Sequence, residues 1–471
     1  MASDSVTTVA SRWSTNQVLA LAPDASSRRA AAGLAGPSSW SGAGTADGLV
    51  WGWCAGSGKD PYQAVADVAG PSYKCSCPSR KFPCKHVLAL LLAWAHGTVP
   101  EQAGPSDYAQ AWQASRAAAA SRRAAGRRQA ADGSAVGQDD AVAPRRAGQR
   151  ARRVSAGLAE LQTWLRDQVR AGLSGAAAGG YRHAEAIAAR MVDAQAPGLA
   201  SALRRLSAIP ASGDGWPGRL LDEYAQLHLL ARAHDRLGAL PPGLDAVVRF
   251  RVGYTTSRED VLASPAVTDR WQVLAARDVL SGPVPARRVW LRGRDTGRFA
   301  LLLSFAAGGN FGANPDAVLV PGTELHAEVH YYPGQPPVRA VTGARHGVAA
   351  GPRPGAARDA AALLGDWAAA LAQDPWLTEW PALLAGTPAA TGGRWYLVDS
   401  AGAALPLLGG ESLWPLLAIS GGHPVTVAGE WSPAGLTALT AWHGDRAVSL
   451  ASVSPGLVSP DPMSPGAAVA P

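Results

Sequence analysis

Three cysteines and a histidine crowd into twelve residues of the chain: Cys75, Cys77, Cys84 and His86, spaced C-x-C-x6-C-x-H. Three thiols and one imidazole make a Cys3His donor set, the kind that holds one zinc ion in a closed structural site. This constrains the fold more than anything else in the sequence, because the backbone must double back to bring both pairs to one point. Residues two apart in extended or turning backbone point to the same side, so Cys75 reaches with Cys77, and Cys84 with His86. Pro78, Ser79 and Pro83 between the pairs suit such a loop. The competing readings are four ordinary buried side chains or a disulfide pair. Cysteines separated by one residue rarely bridge, and His86 would then be unexplained. Cys54 is either a fifth thiol near the metal or, the preferred reading, a buried or half-exposed thiol in a turn.

The flanks read as regular structure. Val87, Leu90, Leu91 and Trp94 share one face at helical spacing, and Gly97 is a natural stop. The helix would start near the second ligand pair, so its positive end would lie beside the thiolates and stabilise them. Upstream, Gly48–Cys54 and Tyr62–Val68 read as strands joined by the turn Cys54–Pro61. The expected unit is a ββα finger.

These residues resemble the SWIM zinc finger. The likeness extends to bacterial SWIM proteins carrying Trp-Gly-x-Cys-x-Gly-Ser-Gly and Cys-Ser-Cys-Pro-Ser-Arg-Lys-Phe-Pro-Cys-Lys-His; this chain has Trp51-Gly-Trp-Cys-Ala-Gly-Ser-Gly58 and the whole of Cys75 to His86. It covers roughly residues 10–100. The resemblance implies Cys75, Cys77, Cys84 and His86 as ligands of one structural Zn2+, and a role in DNA or protein interaction. Bacterial members of this kind tend to be encoded beside MoxR-type AAA ATPases and von Willebrand A-domain proteins, which implies a partner of that class.

Charge and composition bound the rest. With 471 residues and 47% hydrophobic side chains, the chain can bury several cores and should hold two to four domains. Met1-Ala-Ser-Asp begins no secretory pattern, and the longest apolar run, Val87 to Ala95, is far short of the ~20 residues that span a bilayer. The expectation is a soluble cytoplasmic protein without membrane partners. The four cysteines lie between positions 54 and 84, which favours a metal over a disulfide framework. The only lysines are Lys59, Lys74, Lys81 and Lys85, all in or beside the finger; every other basic residue except histidine is Arg. Zn2+ held by three thiolates and a neutral imidazole carries a net negative charge, which nearby cations stabilise. Lys74, Arg80, Lys81 and Lys85 can serve that purpose or contact phosphate.

Along the chain, Asp24 suits the N-cap of a helix Ala25–Ala35, preceded by a short element at Gln17–Leu21. The expected architecture is α+β and multidomain: a finger domain with its N-terminal helix at 1–100, an Ala/Arg-rich linker at 101–153, a helical region at 154–245, a mixed α/β region at 246–453 and a disordered tail at 454–471. Between Arg116 and Arg153 there are ten Arg, three Asp and no other charged residue, with few large apolar side chains, so the linker cannot bury a core. It is a solvated tether or a nucleic-acid arm, with Arg122, Arg123, Arg127 and Arg128 as candidate phosphate contacts. Helical faces run through Leu158, Leu161, Leu165, Val169 and Leu173, through Leu199, Leu203 and Leu206, and through Leu220, Leu221, Tyr224, Leu227 and Leu230. Strands are expected at Arg288–Arg292 and Phe299–Ser304 about the turn Arg294–Gly297, at Leu325–Tyr331, at Trp395–Val398 and Ala404–Leu408 about Asp399–Gly402, at Val425–Ala428 and at Leu436–Leu439, with a helix at Ala357–Ala372. The two Asp-x-Gly-type hairpins are similar in kind, but no repeat of fixed period is visible.

His326, Glu328 and His330 alternate on one expected strand and would face one side, a conceivable second metal site that reads better as a wet strand face. Gly56-Ser-Gly-Lys-Asp60 lacks the spacing of a phosphate loop. No catalytic motif is found, and a closed four-ligand zinc leaves no position for water. The expectation is therefore a non-enzymatic binding module. The alternatives are a scaffold subunit that binds no nucleic acid, or a metal-dependent hydrolase using the C-terminal region.

Overall fold

The computed structural model describes residues 12–22, 25–55, 60–68, 72–79, 81, 83–116, 118, 142–179, 182–281, 284–306, 314–355, 357–409 and 413–450. Asp24, Arg80, the Arg122–Arg128 group, Gly56–Lys59 and the tail from 454 lie outside them.

The N-terminal unit is an antiparallel sheet, β1 (Trp40–Ala46), β2 (Leu49–Cys54), β3 (Tyr62–Asp67) and β4 (Ser72–Cys75), in the order β1-β2-β3-β4. Helices α1 (Thr15–Ala20), α2 (Ala25–Leu34) and α3 (Lys85–Ala95) pack on it. Every residue of α3 from His86 to Trp94 is buried, so this is a core helix covered all round. Its C-terminus closes as expected: Gly97 adopts φ +75°, and Thr98 N–H donates to Ala93 O at 3.0 Å in a left-handed cap. Strands β2 and β3 and helix α2 fall where the sequence places them. The finger gains β1 and β4, whose short, Gly- and Ser-containing runs carry little strand signal. In β1, Gly44 has no room for a Cβ because the Trp51 indole lies against it.

Helix α4, residues 107–116, stands inside the segment expected to be linker. It belongs to the finger: Trp112 and Ala109 bury against Leu49, Trp51 and Val65, and Arg116 pairs with Asp67 at 2.7 Å. The apolar spacing of Tyr108, Ala109 and Trp112 was masked by the surrounding Ala and Arg.

The helical region consists of α5 (Val142–Ala171), α6 (Ser174–Gly179), α7 (Arg182–Asp193), α8 (Pro197–Arg205), α9 (Trp216–His234) and α10 (Pro242–Val252). It begins at 142, not 154, because α5 extends back into the Arg-rich stretch. Leu158, Leu161, Leu165, Leu199, Leu203, Leu206, Leu220, Tyr224, Leu227 and Leu230 share one core. Val169 and Leu221 instead face outward, about half exposed.

The C-terminal region is mostly β. After the short α11 (Arg258–Leu262), strands β5 (Val267–Ser281), β6 (Val284–Gly293), β7 (Phe299–Phe305), β8 (Thr323–Tyr331) and β9 (Arg339–Ala350) close into a barrel in the order β5-β6-β7-β9-β8. All pairings are antiparallel except β7 with β9. After α12 (Ala360–Gln373) the same connectivity recurs in β10 (Trp380–Thr391), β11 (Arg394–Val398), β12 (Ala404–Leu408), β13 (Val425–Ser432) and β14 (Gly435–His443). Here β12 pairs parallel with β14, and β15 (Arg446–Ser449) adds to β14. In each barrel the first strand is long and pairs with two neighbours, and a helical segment joins the third and fourth strands: residues Pro315–Val318 in one, α13 (Trp414–Ser420) in the other. A five-stranded barrel ordered 1-2-3-5-4-1 with parallel third and fifth strands has the connectivity of the OB barrel.

The two similar hairpins of the sequence occupy the same place, the second-to-third-strand turn of each barrel. Both are tied by an aspartate. Asp269 accepts Thr296 Oγ1 at 2.6 Å and the backbone N–H of Thr296 at 2.9 Å, while Asp399 accepts the backbone N–H groups of Ala401 and Ala403. The repeat is one of topology. Inward positions match (Leu291, Ala300 and Leu302 against Leu397, Leu405 and Leu407), but the outward ones differ, so no sequence period survives.

A β-bulge between Val273 and Ala275 explains how β5 serves two faces. Trp271 and Val273 point into their own barrel, and after the bulge Leu274 and Ala275 point at the second barrel. There Trp290 and Leu301 meet Leu383, Leu439 and Trp442. Buried Glu430 crosses this interface, accepting Trp290 Nε1–H at 2.7 Å and Arg288 Nε–H at 2.8 Å and pairing with Arg277 at 3.0 Å. Other joints bind the remaining units. Val318 and Val320 bury in the finger's core, and Arg251 of α10 pairs with Asp374 at 2.5 Å.

Candidate metal centre

The finger's sheet and core helix present the donors from opposite sides. Cys75 ends β4, opposite Ala64 of β3. The chain then turns, held by Ser76, whose N–H donates to Gln63 O at 3.0 Å while its Oγ accepts Gln63 N–H at 2.9 Å. This fixes Cys77 on the same side as Cys75. Ser79 Oγ accepts Lys81 N–H at 3.2 Å in the returning loop. Cys84 is the N-cap of α3, with extended backbone (φ −74°, ψ 165°), and His86 lies in the first turn. The Tyr62 ring lies 4.8 Å from the His86 ring and fixes its orientation.

The four donor atoms lie within 4.8 Å of one another, and Cys75 Sγ is 3.8 Å from His86 Nδ1. Tetrahedral zinc with bonds of about 2.0–2.3 Å sets its ligands roughly 3.5–3.8 Å apart, so a small contraction completes the site. Packed this closely, the three thiols do not ionise independently. A hydrogen bond from the Cys75 thiol, with further donation from His86 and from the Val87 backbone, holds Cys84 down to about 4 against the cost of its burial. The same bond and burial push Cys75 up, and burial pushes Cys77 up. Three thiolates cannot share one point by themselves; a divalent cation compensates all three. The residues fit one structural zinc ion, with four protein donors and closed coordination. Cys54 is buried in β2 outside this cluster, its thiol raised by burial.

Two lysines flank the centre: Lys81 Nζ donates to Ser26 Oγ at 3.1 Å, and Lys85 is exposed on α3; Lys74 lies on the other face of the sheet, its Nζ 5.8 Å over the Tyr108 ring. Between α2, the loop and α3 lies an open cavity of about 490 Å³, lined in part by Lys81, Lys85, Ser26, Tyr62 and His86. Among the described residues no carboxylate lines it. The contribution of α2 went unforeseen, since nothing in Ser26-Ser27 marks a cavity wall.

His326, Glu328 and His330 do not converge, although all three sit on the outer face of β8. His330 Nδ1 lies 2.8 Å from Ser264 O, the His326 ring pairs with His346 at 4.8 Å, and Glu328 accepts the Ala344 N–H. Among the described residues, Cys75, Cys77, Cys84 and His86 are the metal-capable group that comes together. His183 contacts the Tyr224 hydroxyl, and Asp445 accepts the Arg353 N–H, so both have structural partners.

Fold and site thus define a zinc-finger protein with a helical bundle and tandem β-barrels. Residues 67–95 match the family model of the SWIM zinc finger, and residues 149–252 match that of the SWIM-associated four-helix bundle domain. The second match coincides with α5 to α10. No curated protein and no solved structure matches the chain. Among the described residues no helix is long and apolar enough to cross a membrane.

Proposed function

We propose that this is a non-catalytic interaction protein whose zinc-stapled finger holds an anionic macromolecule. The observation that supports this most is the cavity beside the metal, rimmed by Lys81 and Lys85 with no carboxylate among its described lining residues. All four metal positions are filled by protein, so the ion shapes this surface and leaves no place for an activated water. Nucleic acid and an acidic protein surface are the two occupants of matching charge. The segment 119–141, with Arg122, Arg123, Arg127 and Arg128, adds cations that contact phosphate without reading sequence. Resemblance to bacterial SWIM proteins supports a place in a multi-protein system with a MoxR-type AAA ATPase or a von Willebrand A-domain protein. A cytoplasmic location is proposed with it.

A mobility-shift assay at two ionic strengths tests the nucleic-acid arm. The expected result is a shift at low salt that weakens steeply at higher salt. It should weaken further in Lys81→Ala/Lys85→Ala and on deletion of 119–141, a cut that spares α4 and α5. No shift at low salt, together with capture of an acidic partner by the wild type but not the lysine variant, would leave protein binding as the finger's role.

A scaffold role is favoured by one observation: Val318 and Val320 of the first barrel sit in the finger's own core, so the finger is built into the body of the molecule. If the lysine variant binds every partner as the wild type does, the finger is a structural staple.

A further inference from the structure

Most of the outer face of β6 and β7 is covered by the second barrel, through Trp290 and Leu301. At the hairpin end the cover stops and a cavity of about 360 Å³ remains. Its walls come from three places: Arg292, Arg298 and Phe299 of β6–β7 and their turn, the proline segment 336–338 between β8 and β9, and Arg358, Asp366 and Trp380 from around the second barrel.

Among the described residues three guanidinium groups face one carboxylate here. Arg358 pairs with Asp366 at 2.6 Å. Arg292 donates to Gly355 O at 2.8 Å, and Arg298 stacks 4.4 Å from the Tyr331 ring; among the described residues neither has a carboxylate partner. Burial and the neighbouring Arg358 charge both disfavour the charged form of Arg292, the mark of a cation lacking a counter-ion. Flat apolar surface lies alongside in Phe299 and Trp380. The loop that carries the proline segment is held rigidly: Gln335 packs on Gly243 of α10, and Arg339 stacks on Tyr332 and Phe250.

OB barrels take their ligands on the face of the second and third strands, flanked by the loop between the fourth and fifth. This cavity sits on those elements of the first barrel, and its contents suit such a ligand. Arginine forks match phosphate oxygens, and aromatic faces accept a base whatever its identity. The volume accommodates about one nucleotide.

We propose that this junction cavity binds a single nucleotide unit, with its phosphate on Arg292 and Arg298 and its base against Phe299 and Trp380. The unit comes either from a free mononucleotide or from one residue of a single strand. The site is separate from the finger, and the proposal does not rest on the finger's role.

The test is fluorescence anisotropy on the full chain with a labelled twelve-residue oligo-dT and, separately, a labelled AMP, with competition by unlabelled AMP and by inorganic phosphate. Oligo-dT binding that weakens tenfold or more in Arg292→Ala and in Arg298→Ala, and not in Lys81→Ala/Lys85→Ala, supports the site. Displacement by micromolar AMP identifies a mononucleotide site; oligo-dT binding that AMP does not displace identifies a strand. Arg298 is exposed, so its variant keeps the test sound if Arg292→Ala fails to fold. The proposal is overturned if neither nucleotide probe binds. It is equally overturned if inorganic phosphate competes as well as AMP, or if binding is unchanged in folded Arg298→Ala.

Discussion

Cys84 belongs to the metal-capable cluster and is also the N-cap residue of α3, with its sulfur near the Val87 N–H. Serine could still cap the helix but is a poor zinc ligand. Cys84→Ser should therefore lose the metal while the helix signal survives in part. Metal analysis of the dialysed protein should fall from about one zinc per chain to near none; unchanged stoichiometry would sink the ligand assignment. Because zinc binding displaces thiol protons, acidification from neutrality should release the metal, which a chromophoric zinc indicator would follow. Asp269 offers a second residue-level test. Burial raises its carboxyl, but hydrogen bonds from Thr296, Asp295 and Arg270 outweigh this and hold it below the usual range. A depressed carboxylate stabilises above its unfolded value of about 3.9, and the contribution is lost as pH falls through the folded value. Asp269→Asn should cost about 1–3 kcal/mol at neutral pH by urea unfolding. The gap from wild type should shrink below about pH 4.

At the scale of elements, what the sequence made legible was whatever repeats a local pattern. Strands β2 and β3, helix α3 and the faces of α8 and α9 show the periods expected of them. So do both Asp-tied hairpins, and the ligands were legible because their spacing is itself the signal. Barrel closure was not, because it depends on β7–β9 and β12–β14 pairings between segments far apart in sequence, with no local trace. Helix α4 was hidden by its Ala and Arg content, and the bulge in β5 obscured the alternation there. The joint between the barrels makes its own prediction. Glu430 is buried with Arg277, Arg288 and Trp290, so Glu430→Ala leaves the Trp290 N–H unpaired and both guanidinium groups to Glu379 alone. It should cost about 1–3 kcal/mol, measured as a lower denaturant midpoint. Glu430→Gln, which keeps the Trp290 hydrogen bond, should lose less. An equal loss in both would mean that the charge, not the indole contact, holds the joint.

For the whole molecule, the units are fastened to one another more than they are strung together. The finger shares core residues with the first barrel, the bundle pairs Arg251 with Asp374, and the barrels share Glu430. Deleting 119–141 should leave zinc content and thermal midpoint near those of the wild type, because α4 and α5 lie outside the cut. A drop of more than a few degrees in thermal midpoint would show that the segment packs on the body. The division of basic residues follows the same plan, with every ε-amine in the first 85 residues and only guanidinium groups beyond. Reagent chemistry can exploit that split. An amine acylating agent will mark the finger alone, apart from the chain's own terminus, and an arginine-directed dicarbonyl will reach the junction of the barrels. Loss of amine acylation on binding therefore assigns a partner's footprint to the finger before any complex has been visualised, whereas loss of arginine modification with the amines still reactive points away from the finger's lysines.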